Sequence, residues 1–210
     1  MRRRTAVLIS GRGSNMAALV RAAADPSYPA VIALVISNRA DAAGLALARA
    51  AGIPIAVVEH RGKDRAAHEA EIDAELQRRQ IALVCLAGYL RVLTPFLVER
   101  WRGRMLNIHP SLLPAFPGLE THARALAAGV KLHGCTVHLV TERLDDGPIL
   151  AQAAVPVLPD DDAERLAERV LAQEHRLYPL GLAALAGAPM RAAPGDAALL
   201  NPLPLRAATP

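Results

Sequence analysis

Asn107 and His109 are the residues whose types and spacing point most directly to chemistry. They stand two apart in segment 105–109, a predicted strand that Pro110 ends, so both side chains should point to one side near its carboxyl end. Ligands bind at that edge in open α/β sheets. An amide stabilises an oxygen that becomes negative, and an imidazole donates or shuttles a proton near neutral pH. The pair predicts attack on a carbonyl carbon, although a single histidine at a strand end is more often structural.

An aspartate in the segment Leu144-Asp145-Asp146-Gly147-Pro148 is the predicted partner of this histidine. The segment is a predicted turn between two strand-like runs that have no helix between them. If the turn folds over the strand ends, its carboxylate reaches His109 and favours the imidazolium. Aspartate before Gly-Pro is also an ordinary turn residue. The sequence has no convincing nucleophile elbow, and His133 and His138 lack the neighbours of a zinc site, so neither a covalent nucleophile nor a metal is predicted.

The glycine-rich segment 10–15, Ser-Gly-Arg-Gly-Ser-Asn, is the second candidate site. It follows a predicted strand and opens a predicted helix, for which we expect Ser14 to be the cap. Glycines let the backbone approach a ligand closely, and the free N–H groups of the first helical turn attract an anion. Met16 replaces the third glycine of a dinucleotide fingerprint, and no Walker lysine is present. The segment therefore predicts a site for one phosphate, although many such turns contain glycine for geometry alone.

The elements that must position these residues alternate between short apolar runs and longer helical patterns. This rhythm predicts an α/β, Rossmann-like three-layer sandwich with a mostly parallel sheet of about seven strands and an antiparallel C-terminal portion. The predicted strands are 5–9, 31–37, 55–58, 83–87, 105–109, 136–140 and 149–157. The predicted helices are 14–24, 40–51, 63–79, 95–101, 121–128 and 163–178. We expect one domain over residues 1–186 and a Pro/Ala-rich tail over 187–210.

Composition narrows the class of protein. The 210 residues are 52% hydrophobic and 21% charged, as in globular proteins, and the aromatic content of 3% disfavours a nucleic-acid reader built on stacked rings. The net charge is +4, and no block of lysines and arginines resembles a DNA-binding arm. Cys85 and Cys135 lie in apolar runs and are predicted to be buried free thiols. The N-terminus lacks a signal peptide, and the longest uncharged stretch, 177–190, is too short to span a bilayer, so we expect a cytoplasmic protein.

Six segments resemble, in order along the chain, the phosphoribosylglycinamide formyltransferases, the folate-dependent enzymes of purine synthesis. They are 8–15, 35–39, 87–93, 107–114, 134–138 and 144–148, and the similarity extends to Gln173-Glu174-His175 near the end of the last predicted helix. The Asn-x-His-Pro-Ser-Leu-Leu-Pro block also occurs in other formyl-folate enzymes, so formyltetrahydrofolate deformylase is the alternative. That hydrolase usually carries a domain before the glycine-rich turn, and only residues 1–9 precede it here.

The resemblance implies a role for each matching residue. It implies a catalytic trio of Asn107, His109 and Asp145, a ribonucleotide site at Gly13, Ser14, Asn15 and Glu174, and a folate site at Arg65, Leu90, Arg91, Val92, Leu93, Val140 and Thr141 together with Asn107 and Asp145. It also implies a cis peptide before Pro114. Arg12 and Glu120 depart from the family pattern, the latter where the family often has histidine.

The implied reaction passes a formyl group from 10-formyltetrahydrofolate, a cosubstrate, to the amine of glycinamide ribonucleotide. No tightly bound cofactor or metal is implied, the partners are small molecules, and a homodimer is left open. A nucleotide-binding regulatory module without turnover is the alternative from a different class.

Overall fold

Seven strands form one mixed sheet at the centre of the protein, whose computed structural model describes residues 1–187. The strands are β1 Arg3–Ile9, β2 Ala30–Ser37, β3 Ile55–Val57, β4 Leu83–Leu86, β5 Met105–His109, β6 Leu132–Leu139 and β7 Ile149–Pro156. They are ordered β3-β2-β1-β4-β5-β6-β7, and the first five run parallel. Strands β6 and β7 are antiparallel to their neighbours. The predicted fold class is confirmed, including the antiparallel C-terminal portion.

Within residues 1–187, five helices lie between strands, a sixth follows β7, and together they cover the sheet. They are α1 Ser14–Ala23, α2 Gly44–Ala50, α3 Arg65–Arg78, α4 Pro95–Arg100, α5 Thr121–Ala127 and α6 Ala163–Leu185. Side chains alternate across a strand, so neighbouring residues of β1 belong to different core clusters. Val7 and Ile9 pack in the cluster that includes α1 and α6, and Ala6 and Leu8 in the cluster that includes α3 and α4. Both faces of the parallel strands are thus covered, which explains their continuous apolar runs.

Helix α6 extends to Leu185, beyond the predicted end at residue 178, and contains Pro179. A proline inside a helix removes one backbone hydrogen bond. Burial of the last turns outweighs that loss, because Gly181 packs so closely on β6 that a Cβ there would lie 2.5 Å from Cγ1 of Val137, and Leu182 is fully buried. The predicted end of this helix at residue 178, just before Pro179, was therefore wrong.

Strand β6 begins at Leu132, four residues before the predicted start, because its pairing with β7 extends to the Leu132–Pro156 pair. Gly134 lies inside this strand, although glycine is unfavourable in strand interiors. A Cβ at Gly134 would lie 2.0 Å from the carbonyl oxygen of Ala153, so glycine is required by close approach of the neighbouring backbone. Helix α2 is shorter than predicted and begins at Gly44, whose N–H donates to the Gly11 carbonyl at 3.0 Å.

Cys85 and Cys135 are buried free thiols, as predicted, and burial raises the pKa of the Cys85 thiol to about 12. Across residues 1–187, no helix is long and apolar enough to cross a membrane. Apart from Gly187, the predicted tail lies outside the described residues. The boundary of the predicted domain at residue 186 remains a prediction.

Candidate active site

Asn107 and His109 lie at the carboxyl end of β5, which pairs in parallel with β4 on one side and antiparallel with β6 on the other. In that register Asn107 lies opposite His138, and its amide Nδ2 is 3.2 Å from His138 Nε2. Both histidines are buried, with 5% and 2% of their surface exposed. The reversal of strand direction thus brings a third polar side chain to the predicted pair.

Asp145 lies against this strand end, as the sequence predicts. One carboxylate oxygen is 3.4 Å from His109 Nδ1 and accepts a hydrogen bond from the Gly118 amide at 2.9 Å. The other oxygen is 3.8 Å from His138 Nε2. The Asp145 side chain is only 6% exposed, so its charge is screened little by solvent. The carboxylate therefore lies between two imidazoles, one from β5 and one from β6.

The turn between β6 and β7 holds Asp145 in place. Asp145 has a φ of 53°, a left-handed conformation that aspartate tolerates better than most residues. Gly147 passes so close to β6 that a Cβ there would lie 1.7 Å from the Leu139 carbonyl oxygen, and the Leu139 amide donates to the Pro148 carbonyl at 2.9 Å. Gly147 is thus required by the geometry of the turn, and Asp145 occupies a conformation that aspartate tolerates.

The His109 ring is covered by the segment that follows β5. Its Nε2 is 3.1 Å from the Phe116 carbonyl oxygen, which can only accept, while its Nδ1 faces the Asp145 carboxylate. A doubly protonated ring fits these two acceptors. A carbonyl-facing imidazole, as predicted, would line the neighbouring cleft. His109 does not line it, because the Phe116 carbonyl oxygen occupies its Nε2.

The cleft beside the trio encloses about 500 Å³, part of it open to solvent. Its lining includes seven of the predicted folate residues: Arg91, Val92, Leu93, Asn107, Val140, Thr141 and Asp145. The remaining lining residues, which sequence analysis did not assign to the folate site, are Leu86, Tyr89, Val98, His138, Glu142, Arg143 and Leu144. Two predicted residues lie outside the lining: Leu90 is 74% exposed, and Arg65 is exposed as the first residue of α3.

His138 is the main residue that sequence analysis missed at this site. Burial lowers the pKa of the His138 imidazole, so the ring is neutral at neutral pH and able to accept a hydrogen bond from the Asn107 amide. Period-two alternation in β6 puts His138 on one face, but only the antiparallel register with β5 shows that this face is the one carrying Asn107.

The glycine-rich turn lies between β1 and α1, at the same carboxyl edge of the sheet. Gly13 has a φ of 76°, and a Cβ there would lie 2.8 Å from Gly44 Cα, so no other residue fits without strain. The predicted cap was wrong: Gly13 is the N-cap and Ser14 is the first helical residue, because the left-handed glycine itself turns the chain into the helix. The N–H groups that begin α1 remain the expected anion site.

Asn15 and Glu174 are brought together although they are far apart in sequence. Asn15 Nδ2 donates to a Glu174 carboxylate oxygen at 2.5 Å, and both residues are more than 90% buried. Burial raises the pKa of Glu174, and the hydrogen bond from Asn15 opposes that rise. The contact joins α6 to the first turn of α1, so the predicted ribose carboxylate lies beside the predicted phosphate turn.

Comparison with known proteins defines the class. The profile of the formyl transferase family matches residues 3–182, so the chain belongs to the formyl transferase family. It is 45% identical to phosphoribosylglycinamide formyltransferase of Haemophilus influenzae over 179 residues, which are 85% of this chain and 84% of that protein. The structure of phosphoribosylglycinamide formyltransferase from Brucella melitensis superposes with a TM-score of 0.86 at 56% identity, over 92% of this chain and 100% of that one. The resemblance to the phosphoribosylglycinamide formyltransferases within that family is thereby confirmed.

A second group of relatives is much longer. The chain is 49% identical over 187 residues to the trifunctional purine biosynthetic protein adenosine-3 of Drosophila melanogaster, and that match covers 88% of this chain but 14% of the longer protein. The chain thus corresponds to a small part of those trifunctional proteins.

Proposed function

We propose that this protein transfers the formyl group of 10-formyltetrahydrofolate to the amine of glycinamide ribonucleotide in purine biosynthesis. The observation that carries the proposal is the meeting of His109 and Asp145 beside an open cleft that Asn107 and Asp145 line, in a chain of this family. These three side chains supply a neutral donor, a proton-carrying ring and a buried carboxylate, which transfer of an acyl group to an amine requires.

The ribonucleotide phosphate binds at the turn formed by Gly13, Ser14 and Asn15. The N–H groups at the start of a ten-residue helix and the positive end of its dipole favour an anion there. Glu174, buried beside Asn15, accepts hydrogen bonds from the ribose hydroxyls. This arrangement directs the amine of the ribonucleotide along the carboxyl edge of the sheet toward β5.

The formyl donor binds in the cleft lined by Arg91, Val92, Leu93, Val140 and Thr141. Apolar side chains from the segment before α4 and from the end of β6 form the walls for its ring system, and Asn107 and Asp145 mark the end where the formyl group lies. Leu90, exposed beside the cleft, and Arg65, exposed at the start of α3, contact the parts of the donor that extend from it. The guanidinium of Arg65 suits a carboxylate of the donor.

The chemistry needs no enzyme nucleophile. The ribonucleotide amine attacks the formyl carbon directly, and the carbonyl oxygen becomes an oxyanion that Asn107 Nδ2 and protonated His109 stabilise. Asp145 balances the charge of the imidazolium and helps to move a proton from the attacking nitrogen to N10 of the folate, through a water molecule. The C–N10 bond then breaks, which leaves formylglycinamide ribonucleotide and tetrahydrofolate. Holding both substrates together supplies part of the acceleration.

His109 reaches the oxyanion only after its contact with Phe116 is released. The Phe116 carbonyl accepts from the ring nitrogen that must donate to substrate. Phe116 has a φ of 54°, so the segment holds a left-handed residue at this contact. Substrate binding therefore shifts the 110–120 segment, which frees Nε2 while Asp145 keeps its hold on Nδ1.

Hydrolysis of the same formyl donor is the alternative chemistry, with water in place of the amine. The relatives and solved structure named above give it no support. Formate release and formyl transfer, measured with and without glycinamide ribonucleotide, distinguish the two. Transfer that depends on the ribonucleotide is expected, and rapid formate release without it would favour the hydrolase. Ligand binding without turnover would instead favour a regulatory module.

The roles of the trio are tested with Asn107→Ala, His109→Ala and Asp145→Ala. Loss of one oxyanion donor typically lowers kcat by about 10²–10³. Near-normal turnover in all three variants would eliminate this assignment.

A further inference from the structure

The segment 88–94, which joins β4 to α4 and supplies one wall of the cleft, is fastened at both ends by buried side chains. At its first end the Ser10 amide donates to the Gly88 carbonyl at 3.1 Å, and the Leu90 amide donates to Ser10 Oγ at 2.9 Å. Ser10 is only 4% exposed and directly follows β1, at the start of the predicted phosphate turn. One hydroxyl therefore joins the start of the cleft wall to the start of the ribonucleotide site.

At the other end, α3 supplies a carboxylate. The Thr94 amide donates to Glu69 Oε1 at 2.8 Å, and the Thr94 hydroxyl donates to Oε2 of the same carboxylate. Glu69 is 3% exposed, so these bonds compete little with water. Thr94 is the N-cap of α4, and its side chain makes no capping bond because it is turned to Glu69. The carboxylate thus fixes the point where the segment becomes a helix.

A second carboxylate one turn along α3 fixes the far end of α4. Asp73 accepts from the indole N–H of Trp101 at 3.0 Å and pairs with Arg100 at 2.8 Å. Because residues four apart lie on one face of a helix, Glu69 and Asp73 hold the beginning and the end of α4 from the same side. Helix α4 is therefore held at both ends, and the wall of the cleft cannot relax by moving it.

Between the hydrogen bonds that hold its two ends, segment 88–94 keeps apolar side chains exposed to solvent. Leu90 is 74% exposed and Val92 is 51% exposed. A free segment would lower its free energy by turning such side chains inward, since burial of apolar surface is favourable. The fastenings oppose that collapse, so the wall exists before the ligand arrives and binding requires less ordering.

We propose that Ser10 and Glu69 are positioning residues that hold segment 88–94 in the shape that binds the formyl donor. Neither side chain lines the cleft; each acts through backbone amides of the segment, those of Leu90 and Thr94. The identity of the ligand rests on the proposed function, whereas the fastening of the segment does not. Loss of either side chain should therefore weaken binding of the donor. Loss of Glu69, which lies on α3 and is not part of the ribonucleotide site, should also leave the chemical step and the ribonucleotide site nearly unchanged.

The experiment uses Glu69→Leu, Ser10→Ala and two controls in the full chain. Glu69→Gln is the conservative control, because its amide oxygen still accepts from the Thr94 amide and its NH₂ group can donate to the hydroxyl. Glu75→Leu is the structural control, because Glu75 makes ion pairs with Arg78 and Arg79 and lies on α3 without touching the segment. Amide hydrogen exchange of residues 88–94 is measured first, together with unfolding by urea.

Faster exchange at the Thr94 amide is expected in Glu69→Leu, and at the Leu90 amide in Ser10→Ala. The Michaelis constant for the formyl donor should rise about tenfold in both, as the loss of one or two buried hydrogen bonds implies. In Glu69→Leu, kcat and the Michaelis constant for the ribonucleotide should stay within about twofold of wild type. Glu69→Gln should behave as wild type. If Glu69→Leu does not fold, Ser10→Ala, which removes a single oxygen, carries the test.

Unchanged exchange in the folded variants overturns the proposal. So does a parallel fall of kcat and of binding of both substrates that tracks the loss of stability as in Glu75→Leu, since that pattern marks a purely structural role. If the wild-type protein transfers no formyl group, the proposed function fails separately. Calorimetric affinity for a non-reactive folate analogue then replaces the Michaelis constant, and equal affinity in all variants overturns the positioning role.

Discussion

Replacing Asp145 with asparagine removes the buried charge beside His109 and leaves its surroundings intact. Asparagine tolerates the left-handed φ of 53° at this position, and its amide oxygen still accepts from the Gly118 amide. At 3.4 Å, with an effective dielectric constant of about 20, opposite unit charges attract by about 5 kcal/mol. Desolvation of two buried groups cancels part of this attraction. We therefore expect the variant to lose about 3 kcal/mol of transition-state stabilisation, which lowers kcat about a hundredfold.

The measurement is the initial rate of formyl transfer with both substrates saturating, followed by absorbance of the folate product. Asp146→Asn is the matched control, because Asp146 is the next residue in the same turn and its side chain is 59% exposed. That variant should keep its kcat within about twofold, since an exposed ion pair contributes little. An Asp145→Asn protein that folds normally and retains more than about a tenth of wild-type kcat would refute the role given to the carboxylate.

Three further substitutions test the parts around the trio. Gly13→Ala should raise the Michaelis constant for the ribonucleotide and lower the urea midpoint, because its φ of 76° disfavours alanine and the new Cβ meets Gly44 Cα at 2.8 Å. Glu174→Gln should stabilise the protein at about pH 8 and not at about pH 4. Burial raises the pKa of Glu174 above the ordinary glutamate value of 4.5. The wild type therefore loses stability as the pH rises from 4.5 through the raised pKa, whereas the glutamine variant does not. Gly147→Ala should lower both Tm and kcat sharply, because the new Cβ would lie 1.7 Å from the Leu139 carbonyl oxygen.

A different result would contradict each of these three predictions. Gly52→Ala has a comparable φ of 70° but open space around the new Cβ, so equal losses of ribonucleotide affinity in it and in Gly13→Ala would deny a special role to the turn. A stability difference between Glu174→Gln and wild type that does not change with pH would show that Glu174 is not titrating as described. A Gly147→Ala protein with normal Tm and kcat would show that the β6–β7 turn adapts without moving Asp145.

Much of the site was predictable because local patterns set it. The spacing of Asn107 and His109 in a strand ended by proline predicted both at the carboxyl end of β5, and the glycines before α1 predicted a turn at the same edge. The Asp-Gly-Pro turn gave Asp145 a position after β6. Errors occurred at two helix ends. Pro179 lies inside α6 because the turns after it are buried, and Gly13 is the cap of α1 in place of Ser14 because its left-handed backbone turns the chain into the helix.

Sequence by itself therefore determined the order of the elements, the family, the glycine-rich turn before α1 and which residues carry donors and charges, because these depend on residue types at short spacing. Only the tertiary structure decided which of those side chains meet. The antiparallel register of β6 brings His138 to Asn107, the fold of the 110–120 segment covers His109 with the Phe116 carbonyl, and α3 sets Glu69 against Thr94. Each contact joins residues that local periodicity cannot place relative to one another, since their distance depends on how separate elements pack.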